Sequence, residues 1–162
     1  EMALKSLDDL LLHELKDIYD AEHQITEALP KMRQAASSNE LKKAFEEHLK
    51  VTEEQIKRLE QVFEQLGEKP KREACKGMKG LVAEGQNVME EGDKGDTLDA
   101  ALIASAQKVE HYEIASYGSV RTYANMLGHR DVAQLLQQTL DEESMTDEKL
   151  TGIAERLNRQ AK

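Results

Sequence analysis

The first long apolar pattern of the chain reads LDDLLLHELKDIYDAEHQITEALPKM from Leu7 to Met32. Its apolar residues recur every three or four positions, which is the spacing of one face of an α-helix. Pro30 lies inside the pattern and predicts a kink or a missing hydrogen bond. One position of the apolar face is occupied by Glu22 instead, between Ile18 and Ile25. The segment therefore predicts a long helix whose inward face is interrupted by one carboxylate.

The same spacing continues along the rest of the chain. Glycines cluster in the segment 68–97, which predicts a long connection that contains one short helix. The predicted helices cover about 6–36, 40–67, 73–91 (the short one), 97–127 and 131–160. We expect an all-α chain in which residues 1–162 form a single ferritin-like domain. Its architecture is a four-helix bundle, with two antiparallel hairpins joined by a long crossover.

The charge of the chain excludes two classes of partner. The sequence has 22 Lys and Arg residues against 32 Asp and Glu, which gives a net charge of −10. It has no basic cluster for nucleic acid or for an anionic membrane, and no apolar stretch long enough to span a bilayer. The lone Cys75 cannot form an internal disulfide. We expect a cytoplasmic protein whose partners are cations or other proteins.

Polar residues interrupt the inward face of all four predicted bundle helices. Counted from the two hairpin turns at 1.5 Å per residue, these positions lie within one or two helical turns of a common level. They are predicted to meet in the middle of the bundle. The residues are Glu22 on the first helix; His48, Thr52 and Gln55 on the second; Glu110 and Glu113 on the third; and Glu143 and Asp147 on the fourth.

Such a cluster needs compensation for its charge. It holds five carboxylates, and His48 is its one group that can become cationic. Buried unpaired charges are costly, so the cluster must be protonated, hydrated or neutralised by cations. Two divalent ions would cancel most of the charge, and oxygen ligands with one imidazole suit iron, manganese or, less selectively, zinc and magnesium. The candidate ligands are Glu22, His48, Glu110, Glu113, Glu143 and Asp147, whereas Thr52 and Gln55 are interpreted as hydrogen-bonding residues.

The other histidines and the tyrosines receive simpler interpretations. Four histidines lie off the inward faces and are interpreted as surface residues: His13, His23, His111 and His129. Three tyrosines are interpreted as packing residues that carry a polar hydroxyl: Tyr19, Tyr112 and Tyr117.

Four stretches together resemble the YciE/YciF-type family of bacterial stress-associated, ferritin-like proteins. They are YDAEHQ at 19–24, EHL at 47–49, VEHYEI at 109–114 and LDEE at 140–143. The resemblance implies a rubrerythrin-like bundle with a dimetal centre, a homodimer and a stress-related role. One departure is that the Glu-x-x-His pairs of dimetal ferritin-like proteins are replaced by Thr52-x-x-Gln55 and Glu143-x-x-Thr146. The site is therefore poorer in ligands than a ferroxidase.

Three functions remain open from the sequence. The first is a stress-associated protein with a two-metal site that carries out redox chemistry on peroxide or Fe(II). The second is a dimeric scaffold with no enzymatic activity, in which the metal site is degenerate and empty. The third is metal storage without catalysis. Whether the chain is an enzyme is left open.

Overall fold

The computed structural model describes residues 3–162, and most of them lie in five α-helices. The helices are α1 Leu7–Ala35, α2 Asn39–Gln65, α3 Lys76–Glu91, α4 Asp96–Met126 and α5 Arg130–Gln160. Helices α1 and α2 form one antiparallel hairpin, and α4 and α5 form the other, while α3 lies in the crossover against α1 and α4. The predicted ferritin-like four-helix bundle is confirmed.

The helix ends follow from local side chains and glycines. Ser6 and Ser38 accept hydrogen bonds from backbone amides of the first turns of α1 and α2. Gly67 and Gly128 follow α2 and α4 with φ of 72° and 82°, a conformation that glycine adopts without a steric penalty. Helix α1 runs through Pro30 to Ala35. The short helix begins at Lys76, later than predicted, because Cys75 is its N-cap.

The apolar core consists of two clusters. One surrounds Leu29, Leu41 and Leu102 near the turn between α1 and α2. The other surrounds Leu15 and Val62 towards the opposite end of the bundle. Burial of each such side chain contributes about 1.5–3 kcal/mol. The polar residues of the inward faces lie between the two clusters, so apolar packing shields them from both ends of the bundle.

Two buried or nearly buried aspartates connect elements that are distant in sequence. The carboxylate of Asp99 on α4 accepts hydrogen bonds from the amides of Ser37 and Ser38, each at 2.8 Å. Asp20 on α1 accepts from the amide of Cys75 at 2.7 Å. Asp99 therefore ties α4 to the α1–α2 turn, and Asp20 ties the start of α3 to α1. The sequence analysis identified neither contact.

The helices are amphipathic rather than uniformly apolar. Within residues 3–162, no helix is both long enough and apolar enough to cross a membrane.

Candidate metal centre

The bundle brings five of the six predicted ligands together at one level. They form two groups of three, and within each group one potential ligand atom per residue lies within 4.8 Å of the others. Glu143 belongs to both groups, so the two groups are adjacent. All five side chains are buried. The first group is Glu22, Glu113 and Glu143, and the second is His48, Glu110 and Glu143.

Asp147 lies outside both groups. Its side chain is 19% exposed, and its Oδ2 atom is 3.2 Å from Nε2 of His111. The other oxygen, Oδ1, is buried without a hydrogen-bond partner. Asp147 thus lies at the edge of the cluster, between the buried carboxylates and an exposed histidine. The interpretation of His111 as a surface residue omitted this pairing.

The cluster is rich in polar atoms without hydrogen-bond partners. Such an atom typically costs about 1–3 kcal/mol when buried, so a concentration of them indicates a missing ligand, water or proton. Carboxylate oxygens and an imidazole nitrogen are suitable donors for a divalent metal ion, and the residues present fit one. The atoms include both carboxylate oxygens of Glu22 and Glu110, Oε1 of Glu113, Oε2 of Glu143, Nδ1 of His48 and Oε1 of Gln55.

Burial changes the protonation of the cluster. Desolvation raises the pKa of Glu22 from 4.5 to about 8 and that of Glu110 to about 7. Burial and the neighbouring carboxylates raise the pKa of Glu113 and Glu143 well above the usual range. Burial lowers the pKa of His48. Burial therefore favours the neutral, protonated forms of these carboxyl groups and the neutral form of the imidazole.

Comparison with known proteins identifies the family. Residues 6–162 match a family model described as "Domain of unknown function (DUF892)". The chain belongs to the DUF892 family. It is 49% identical to protein YciF of Escherichia coli K12 over 154 residues, which cover 94% of this chain and 93% of YciF. The sequence-based resemblance to YciF-type proteins is confirmed.

Solved structures of similar proteins share the fold of this DUF892 chain. The crystal structure of the E. coli stress protein YciF matches with a TM-score of 0.93 and 48% identity, covering 96% of this chain and 99% of YciF. YcfI of Rhodopseudomonas palustris, described as a candidate structural protein, matches with a TM-score of 0.90 and 45% identity. That match covers 91% of this chain and 94% of YcfI. A protein of Xanthomonas campestris matches with a TM-score of 0.78 and 22% identity. That match covers 96% of this chain and 95% of the X. campestris chain.

The residues that replace Glu-x-x-His on α2 of this DUF892 chain have distinct roles. The hydroxyl of Thr52 donates to the carbonyl of His48 at 2.8 Å, so its proton is used within its own helix. The amide Nε2 of Gln55 donates to Glu142 at 3.3 Å. Arg58 holds Glu142 with two hydrogen bonds, at 2.7 and 3.2 Å. This network orients the Gln55 amide and leaves its Oε1 atom buried and free to accept.

Tyr117 is a further polar residue of the cluster. Its side chain is fully buried on α4, and its hydroxyl has no hydrogen-bond partner among residues 3–162. Burial, together with the charges of Glu22, Glu113 and Glu143, raises the pKa of Tyr117 well above its usual range. The hydroxyl is therefore a neutral donor next to the first group of ligands. The interpretation of Tyr117 as a packing residue with a polar hydroxyl did not include its place beside these carboxylates.

Proposed function

We propose that this DUF892 chain binds two divalent metal ions, iron or manganese, in the polar layer of its bundle. The observation that carries the proposal is the pair of overlapping ligand groups that share Glu143. Glu22, Glu113 and Glu143 would hold one ion, and His48, Glu110 and Glu143 the other. Once bound, the metals supply Lewis acidity and redox capacity for reaction with peroxide or oxidation of Fe(II).

The protein's own residues prepare this site in three ways. The two apolar clusters exclude water from both ends of the polar layer. Glu142, which is held by Arg58, accepts a hydrogen bond from Gln55 and so orients the Gln55 amide beside the site. The ligand carboxylates must release the protons that burial places on them, so metal binding is coupled to proton release. High pH therefore favours metal binding.

The biological role proposed for this chain follows from its similarity to YciF. The E. coli relative is described as a stress protein, and the chain matches 93% of its length. We infer a stress-associated role for this chain, in the cytoplasm and as a homodimer. The proposed metal site agrees with that role, because free Fe(II) and peroxide are both damaging to cells. A buried two-metal site would consume either of them away from other molecules.

Elemental analysis tests the proposal directly. The protein is purified without chelator, titrated with Mn²⁺, and separately mixed with Fe(II) in air while the near-ultraviolet absorbance is followed. We expect up to two bound ions per chain and oxidation of Fe(II) faster than in buffer. Absence of bound metal after Mn²⁺ and Fe(II) addition would contradict a metal centre.

A second candidate function is a scaffold with an empty metal site. The observation in its favour is that burial keeps the carboxylates neutral without any ion, so the bundle can exist metal-free. The description of the R. palustris relative as a candidate structural protein agrees with it. The double change Glu22→Ala and Glu143→Ala distinguishes the two. It should stabilise an empty cluster by removing desolvated carboxyls, but lower the melting temperature in metal-replete buffer if the site is filled.

A further inference from the structure

A cavity of about 120 Å³ lies between α1, α3 and α4, beside the candidate metal centre. Most of its wall is apolar, and α1, α3 and α4 each contribute to it. Its apolar lining includes Ile25, Leu29, Met32, Val82, Met89 and Ala106. The crossover helix α3 therefore closes a space that would otherwise be an open groove along the bundle.

The cavity reaches the metal centre at one residue. His48, which is 6% exposed, lines the cavity from α2, and its Nε2 atom is 2.6 Å from Oε1 of Glu110. The exposed residues of the lining are Glu27, Lys31 and Gln86. The cavity thus has a polar mouth at the surface, apolar walls, and an inner end at a candidate metal ligand.

A second cavity reaches His48 between α2 and α5. Its lining includes the charged residues Glu47, Glu142 and Lys149. The two approaches to His48 therefore differ in chemistry. The charged residues of the first lining, Glu27 and Lys31, lie at its exposed mouth, whereas its inner walls next to α3 provide apolar contacts.

We propose that the cavity between α1, α3 and α4 binds a small, uncharged, apolar molecule next to His48. Its volume is close to that of cavities of about 150 Å³ that bind benzene or xenon. A charged ligand would lose its hydration there without a buried partner of opposite charge. A role for this molecule at the metal centre would rest on the proposed function, whereas the binding site itself does not.

Fluorobenzene and xenon are suitable probes for this site. Binding of fluorobenzene to the metal-free protein is followed by ¹⁹F NMR, and the His48 ring protons report whether the probe lies beside that residue. Val82→Phe extends a half-buried cavity residue into the space, so we expect at least tenfold weaker binding. Val88→Phe is the matched control, because Val88 is a half-buried residue of the same helix that does not line this cavity. We expect its affinity to remain within twofold of wild type.

A second substitution keeps the test decisive if one variant fails to fold. Ala28→Phe fills the same cavity from α1, and circular dichroism checks that each variant keeps its helices. No binding by the wild type, or equal binding by Val82→Phe and Val88→Phe, would overturn the proposal. Metal content is measured on the same samples. Metal without probe binding contradicts the cavity assignment alone, and probe binding in a protein that takes up no metal contradicts the proposed function alone.

Discussion

Nε2 of His48 on α2 lies 2.6 Å from Oε1 of Glu110 on α4, and both side chains are buried. The two helices face each other across the diagonal of the bundle, since α1 and α5 are the neighbours of each. The contact is an ion pair only when His48 is protonated, and burial lowers the pKa of that imidazole. An imidazole nitrogen and a carboxylate oxygen from opposite helices therefore belong to one buried group of potential ligands.

Glu143 is predicted to matter more for metal binding than Glu22. Glu143 belongs to both ligand groups and Glu22 to one. Glu143→Gln should weaken binding of both ions by at least about tenfold, whereas Glu22→Gln should leave one ion bound. Titration with Mn²⁺ followed by elemental analysis measures the stoichiometry. Glu148→Gln, an exposed change on the same helix, is the control, and equal effects of Glu143→Gln and Glu22→Gln would contradict the shared position.

The metal-free protein is predicted to lose stability as pH rises from 6.5 to 8.5. The pKa of Glu22 is raised from 4.5 to about 8 and that of Glu110 to about 7, so the folded state favours their protonated forms. Their contribution to stability is complete below pH 4.5 and is lost as pH rises through these values. The pKa of His48 is lowered from 6.5, so this residue makes stability increase with pH, but only below pH 6.5. Melting temperatures in chelator measure the trend.

The same pH series in Mn²⁺ provides the comparison. If the carboxylates bind metal, the ion replaces the protons and the melting temperature at pH 8 should exceed that of the chelated protein. A melting temperature of the chelated protein that stays constant or increases between pH 6.5 and 8.5 would contradict the neutral cluster.

Asp20 is predicted to hold the crossover helix in place. Its carboxylate accepts from the amide of Cys75, from Gln24 at 2.8 Å and from Arg72 at 2.9 Å. Burial alone would raise the pKa of Asp20, but these three donors outweigh it and lower the pKa. Asp20→Ala should destabilise the fold by about 1–3 kcal/mol and increase hydrogen exchange in α3. Arg72→Ala removes only the half-exposed partner and should cost less.

Two glycines of α3 are predicted to respond oppositely to the same substitution. A Cβ atom on Gly77 would lie 2.6 Å from the ring of Tyr112, whose hydroxyl is 3.2 Å from the sulfur of Cys75. Gly77→Ala should therefore destabilise the protein by about 1–3 kcal/mol. A Cβ atom on Gly80 meets no atom within 4 Å, so Gly80→Ala should stabilise it by about 0.4–1 kcal/mol. Urea unfolding measures both, and a stabilising Gly77→Ala would contradict the packing of Tyr112.

The order of helices and the polar layer were predictable because both depend on local spacing. An apolar residue every three or four positions defines a helix face, and Glu22 is visible as a gap in that face. The start of α3 was less predictable. Its N-cap is Cys75, whose amide is held by Asp20 across 55 positions in the sequence, and periodicity carries no information on such a contact.

Asp147 shows the limit of the same reasoning within the candidate site. Its spacing of four from Glu143 places both on one helix face. The structure puts Asp147 at the partly exposed edge, paired with His111, although Glu143 and Leu150 on either side of it along the helix are buried. Spacing along one helix gives the direction of a side chain but not its depth.

Five helices, their antiparallel connection and the polar interruption of four inward faces can be read from the sequence, because helical periodicity and turn residues act over a few positions. Three further relations depend on how the helices pack: Glu143 belongs to both ligand groups, His48 meets Glu110 across the bundle diagonal, and α3 closes an apolar cavity beside them. These relations depend on the rotation and height of each helix relative to the others. Packing between residues that are distant in sequence sets both.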